Sequence, residues 1–155
     1  MNEDEKWMNL ALEQAIKAGA EGEVPVGAIL VKDGLLIAQA HNQPITSNDA
    51  TAHAEIQLIR IAGGILKNYR LTGTSLYVTL EPCGMCLGAI MHARLERIIF
   101  GAYNQKIGAY CLATNLNNSK NLKSTIKITG GVLEKKCGKL LQTFFKSRRW
   151  FKKAL

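Results

Sequence analysis

The chain has 155 residues, 47% of them hydrophobic, which suits one domain (1–155) with a real core. No apolar run approaches the ~20 residues that span a bilayer, and the acidic start Met1–Lys6 lacks the basic-then-apolar layout of a secretory signal, so no membrane contact and a cytoplasmic location are expected. The formal charge of +8 is uneven: residues 1–119 hold 9 basic and 11 acidic side chains, residues 120–155 hold 11 and 1. Such an end favours a polyanionic partner, because each phosphate contact releases a counterion, although a solvated Lys-rich surface has the same composition.

Trp7-Met8, Leu10-Ala11-Leu12 and Ala15-Ile16 recur at helical spacing and predict a helix that stops near Gly19. Val26 to Val31 and Leu35 to Ala40 read as strands joined by Lys32-Asp33-Gly34, whose Asp-Gly suits a primed hairpin turn. Asn42 to Ala50 reads as a loop. Thr51 to Ile61 reads as a helix ending at Gly63-Gly64. Ser75 to Leu80 is strand-like, and Pro82 is expected to open a helix running to about Ala93. Arg97 to Ala102 has the pattern of a buried strand, and Tyr103 to Ser124 is irregular. A short strand at Ile126 to Thr129 precedes a long helix from Leu133 to about Phe151, with Leu140, Leu141, Phe144 and Phe145 on one side. A hairpin followed by alternating helices and strands predicts an α/β sandwich around one sheet.

Two short motifs carry the chemistry. His53-Ala54-Glu55 and Pro82-Cys83-Gly84-Met85-Cys86 both sit at predicted helix starts. A catalytic zinc takes three protein ligands and keeps one position open, and His53, Cys83 and Cys86 supply three. Cys83 and Cys86 are three residues apart, on one helix face, and a first-turn position favours thiolate. His53 and Glu55 lie about 200° apart around a helix, so both reach one site only at its tip. Glu55 is then a general base and acid rather than a ligand. Alone, each motif is weak; together they match the known signature of zinc-dependent base deaminases. The alternative is a structural zinc closed by Cys111, Cys137, His41 or His92, which leaves Glu55 without a role. Otherwise His41 and His92 read as structural, and Cys111 and Cys137 as packing thiols.

From about Trp7 to Trp150 the chain resembles the bacterial tRNA-specific adenosine deaminases. The likeness rests on Glu23-Val24-Pro25-Val26-Gly27-Ala28, His41-Asn42-Gln43-Pro44, Thr51-Ala52-His53-Ala54-Glu55, Leu76 to Cys83, Phe100-Gly101-Ala102 and Phe144 to Arg149. The resemblance implies a three-layer α/β/α cytidine deaminase-like fold with a five-stranded mixed sheet. It implies one Zn2+ per subunit, and a homodimer whose subunits both contribute to each tRNA site. The implied substrate is the wobble adenosine of an arginine tRNA, flipped out of the anticodon loop. Carried over, Asn42 hydrogen-bonds the nucleoside, the Ala54 N–H helps position the base, and Val26 and Leu80 line the pocket. Lys106, Phe145 and Arg149 meet the flanking nucleotides. On the residues alone, Asn42 could serve as a turn residue beside Pro44, and Arg148 and Arg149 as solvated surface. Of the adjacent Phe144 and Phe145, one is expected in the core and the other free to stack a base.

A guanine or cytosine free-base deaminase would use the same zinc motif without needing the basic end. A silent RNA-binding subunit would not need Glu55. The resemblance departs at Asn104, where the family usually has Asp, and it is poor over Tyr110 to Ser124. Losing a negative charge beside a polyanionic substrate is expected to weaken discrimination by this loop and to admit single-stranded DNA. Asn104→Asp is therefore expected to lower deamination of single-stranded DNA more than that of tRNA; equal losses on both substrates, measured side by side, would remove the idea.

Overall fold

In this computed structural model, which describes residues 1–104 and 126–154 (the last five as backbone), helix α1 spans Glu3–Ala20. It starts four residues before the first apolar pair, because Asn2 caps it. The Glu5 N–H donates to Asn2 Oδ1 at 2.8 Å and the Asn2 N–H to Glu5 Oε2 at 3.2 Å, a reciprocal capping box. Glu3, Asp4 and Glu5 then complement the positive end of the helix. Strands β1 (Gly27–Lys32) and β2 (Leu35–His41) pair antiparallel around the expected turn, with Asp33 at φ 51° and Gly34 at φ 73°.

Helix α2 (Ala54–Leu66) starts later than Thr51 and runs straight through Gly63-Gly64. Its buried stripe of Ala54, Leu58 and Ala62 outweighs the modest helix cost of the two glycines, and Lys67, in the left-handed region at φ 50°, ends it. Strand β3 (Thr74–Leu80) leads to α3 (Gly84–His92). Pro82 lies outside that helix, because Cys83 is its N-cap. Strand β4 (Arg97–Ala102) has the expected bounds, β5 is Lys127–Thr129, and α4 is Glu134–Ala154.

The strands form one mixed sheet in the order β2-β1-β3-β4-β5, with β1 antiparallel to both neighbours and β3, β4 and β5 parallel. Helix α1 packs over β1, β2 and β3 and touches α4, which covers β4; α2 covers β1 and β2 and packs against α3. The result is the expected three-layer arrangement. Two glycines permit the close approach of the α1–α4 layer. A Cβ at Gly27 would collide with the Ala11 carbonyl, and one at Gly101 with the Cys137 sulfur. The core is aliphatic, with Met8, Ile29, Leu30, Leu58, Leu76, Ile90, Ile98, Ile99 and Phe100 fully buried.

One half-buried charge cluster locks the first turn of α1 to the sheet. Asp4 Oδ1 accepts from Arg97 Nη1 and from the Tyr77 hydroxyl, each at 2.9 Å, and Oδ2 accepts from Arg97 Nη2 at 2.7 Å. Arg97 Nη2 also donates to Thr129 Oγ1 at 3.2 Å, which brings in β5. The Arg97 guanidinium and then the Tyr77 hydroxyl hold the Asp4 carboxyl below the usual carboxylate range, against the opposing effect of burial. A depressed folded pKa stabilises fully above the unfolded value of about 3.9 and fades as pH falls through the folded value. Asp4→Asn is therefore expected to cost about 1–2 kcal/mol in urea unfolding at pH 7, the lower part of the range for charge-assisted hydrogen bonds because both side chains keep some water contact. The gap between variant and parent should close as the pH is taken below 3.9; a gap independent of pH would remove the ion pair from the account.

Candidate metal centre and active site

The parallel strands β3 and β4 end side by side at Leu80 and Ala102, and the Glu81 N–H donates to the Ala102 carbonyl at 2.8 Å. Ligands in α/β sheets characteristically bind beyond such carboxyl ends. The N-termini of α2 and α3 reach this place, with His53 as N-cap of α2 and Cys83 as N-cap of α3. Glu55 and Cys86 follow within the first turns. This is the helix-tip arrangement that the spacing of His53 and Glu55 required.

The ligand atoms of His53, Cys83 and Cys86 lie within 4.8 Å of one another. A tetrahedral ion with Zn–S of about 2.3 Å and Zn–N of about 2.0–2.1 Å separates sulfur and nitrogen ligands by roughly 3.6 Å. His53 Nδ1 lies 3.6 Å from Cys83 Sγ and 3.5 Å from Cys86 Sγ, so the donor set fits zinc in identity and in spacing. Hydrogen bonds from Cys86 and then His53 hold the Cys83 thiol down at about 3, against burial, so that it stands as a thiolate. Cys86, interacting with that thiolate and buried, is pushed up. Among the described residues no fourth candidate joins the cluster. His41 Nε2 pairs with Glu21 at 3.0 Å, Cys137 is buried on the inner face of α4 against Gly101, and His92 is exposed. Cys111 lies outside the described residues.

Glu55 is 4% exposed, and burial pushes its carboxyl above the ordinary range, with backbone hydrogen bonding and His53 opposing. It shares a cavity of about 210 Å³ with His53 and Cys83, walled by Val24, Val26, Leu80, Asn42, Glu81 and Asn104. Asn42, Val26 and Leu80 thus line one cavity with Glu55, whereas Ala54 does not. It is fully buried, and its N–H donates to Asn42 Oδ1 at 3.0 Å, because the side chain of the N-cap His53 makes no capping bond and the amide needs an acceptor. Among the described residues nothing accepts from Asn42 Nδ2, and the residue lines the cavity.

Two buried carboxylates at the site escaped the sequence reading. Glu81, 3% exposed, lines the cavity and accepts the Asn104 N–H at 2.8 Å. Glu23, 1% exposed, accepts the N–H groups of Ile45 and Thr46 at 3.2 and 2.7 Å, pinning the loop between Asn42 and His53. Glu81 stands in the quoted Leu80-Glu81-Pro82-Cys83 run, which was the available signal; Glu23 has only its place in Glu23-Val24-Pro25.

Leu80 and Asn104 also border a larger groove of about 710 Å³ between the end of β4 and α4, where Phe145, Arg148 and Arg149 line the helix side. Phe145 is 46% exposed, and Phe144 is half-buried beneath the Arg148 guanidinium rather than fully in the core. Lys106 lies outside the described residues.

The fold and the His-Cys-Cys site define a zinc-binding deaminase: the chain belongs to the family of the cytidine and deoxycytidylate deaminase zinc-binding region, which matches residues 1–102. Within that family it groups with the tRNA-specific adenosine deaminases. It is 47% identical to the protein of that name from Haemophilus influenzae over 151 residues, 97% of this chain and 87% of that one. It is 44% identical to the Bacillus subtilis protein of that name over 154 residues, 99% and 96% of the two chains. A structure from work on A-to-I editing by tRNA:A34 deaminases at the wobble position superposes with a TM-score of 0.82 at 42% identity, covering 88% of this chain and 99% of that one. The expected cytidine deaminase-like fold and the zinc cofactor both stand.

Proposed function

We propose that the protein deaminates the wobble adenosine of an arginine tRNA to inosine, with Glu55 carrying protons. The observation that supports this best is the meeting of a small cavity, lined by Glu55 and by His53 and Cys83 of the metal cluster, with a groove that presents Phe145 and Arg149. A single base fits the first, and flanking nucleotides the second. Among the described residues no helix is long and apolar enough to cross a membrane, and a cytoplasmic enzyme is proposed.

His53, Cys83 and Cys86 would hold one zinc ion per subunit, which when bound supplies a water acidified to a pKa of about 7. The buried Glu55 carboxylate takes a proton from the attacking water and delivers it to a ring nitrogen of the base; it then takes the proton of the added hydroxyl and delivers it to the amino group, which leaves as ammonia. Burial suits it to this exchange, because a carboxyl raised toward the working pH both accepts and returns protons. Asn42 has its oxygen committed to the Ala54 N–H, so its NH2 group is what it offers the nucleoside. Ala54 then acts through Asn42 rather than on the base itself. Val26 and Leu80 form the apolar walls of the cavity. Phe145 is placed to stack a flanking base, worth about 1–3 kcal/mol, and Lys106 and Arg149 supply positive charge to the flanking nucleotides. The homodimer implied by the family resemblance has support in Ile61 and Ile65, exposed apolar residues one turn apart on α2.

A free-base deaminase would use the same cavity and leave the groove and the basic helix idle. Glu55→Ala is expected to lower turnover on tRNA by at least ~10²–10⁴, with zinc content and tRNA binding retained. Metal analysis, a binding titration and single-turnover kinetics on one preparation check this, and unchanged turnover would take Glu55 out of the mechanism.

A further inference from the structure

The connector Glu21–Val26, between α1 and β1, touches three parts of the site at once. The Gly22 carbonyl accepts from Arg148 Nη2 on α4 at 2.7 Å. The Glu23 carboxylate holds the loop that bears Asn42 and His53 at its ends. Val24 and Val26 wall the base cavity, and the Val26 carbonyl accepts the Asn42 N–H at 3.0 Å.

We propose that this connector keeps the helix carrying Phe145 and Arg149 in register with the base cavity, and that Arg148 is the positioning residue fastening the helix to it. The proposal rests on the RNA reading above. Arg148 and Arg149 are adjacent, both exposed, and both border the groove, so composition gives them the same role as phosphate contacts. The structure separates them. Arg148 is held twice, by the Gly22 carbonyl and by stacking at 5.1 Å over the Phe144 ring. Space at its anchor is tight: Gly22 sits at φ +82°, and a Cβ there would lie 3.2 Å from Arg148 Nη2. No such anchor on another element is seen for Arg149 among the described residues. Phe145 stands three residues before Arg148 and Arg149 four residues after Phe145, so fastening Arg148 fixes the azimuth of both groove-facing side chains.

The test is steady-state deamination of an anticodon stem-loop RNA at several salt concentrations, with the unmodified protein and three variants. Arg148→Ala is expected to raise KM about tenfold, the scale of one hydrogen bond to a charged group, with kcat and the salt dependence of KM unchanged. Phe144→Leu, which alters no charge, should raise KM in the same way. Arg149→Ala should flatten the slope of log KM against log salt by about 0.7, as loss of one single-strand phosphate contact does. A slope flattened by that amount in Arg148→Ala would make Arg148 a phosphate contact and overturn the proposal. So would an unchanged KM in Arg148→Ala or in Phe144→Leu. No inosine from the unmodified protein would instead remove the RNA reading, and this proposal with it, before any variant is compared.

Discussion

A helix whose cap position is reserved for chemistry must have its first amides satisfied from elsewhere, and the site is built around that constraint. His53 and Cys83 both occupy N-caps, and neither side chain makes a capping bond. At α2 the missing acceptor is Asn42 Oδ1, which takes the Ala54 N–H. This one bond joins the end of β2 to the start of α2 and leaves His53 free to turn Nδ1 toward two sulfurs. It also orients Asn42 so that only its NH2 group is left for the cavity. The Glu23 carboxylate braces the intervening loop through the Ile45 and Thr46 amides, so that both ends of the loop are held.

The electrostatics follow from where these groups sit. Two helix N-termini direct positive potential at one point and favour an anionic sulfur there. Cys83 is held as a thiolate by its neighbours, whereas Glu55, buried in the first turn of α2, is pushed the other way by burial. The same few ångströms therefore contain a group suited to a soft cation and a group suited to carrying a proton. Beyond the cavity the chain turns basic, and α4 lays that charge along a groove continuous with the cavity through Leu80 and Asn104.

The sheet was legible where apolar runs and turn chemistry agree. Two strand-like runs and an Asp-Gly turn located the hairpin, and the apolar run Arg97–Ala102 matched β4 at both ends. Helix ends were less legible. The start of α1 is set by a reciprocal bond between Asn2 and Glu5 in a stretch that reads only as polar, and α2 passes two glycines that stand between the buried Ala62 and the partly buried Leu66. The zinc motif was visible because His-x-Glu and Cys-x-x-Cys make geometric sense only at helix tips. The acceptor of the Ala54 N–H was not legible, because it is a side chain twelve positions earlier. Glu23 and the Gly22 anchor that separates Arg148 from Arg149 were beyond reach, since the hydrogen-bond partners lie 22 or more residues away in sequence and are backbone groups, which carry no compositional signal.

The central claim is that this site acts on one adenosine within a folded RNA. The most direct measurement offers the purified protein an arginine tRNA with an ACG anticodon, read for inosine by sequencing, beside free adenosine, cytidine and guanine. Inosine confined to the wobble position, with the free compounds untouched, is the expected result. Turnover of a free base with no inosine in the tRNA would keep the zinc chemistry and contradict the assignment of the groove and the basic helix to RNA.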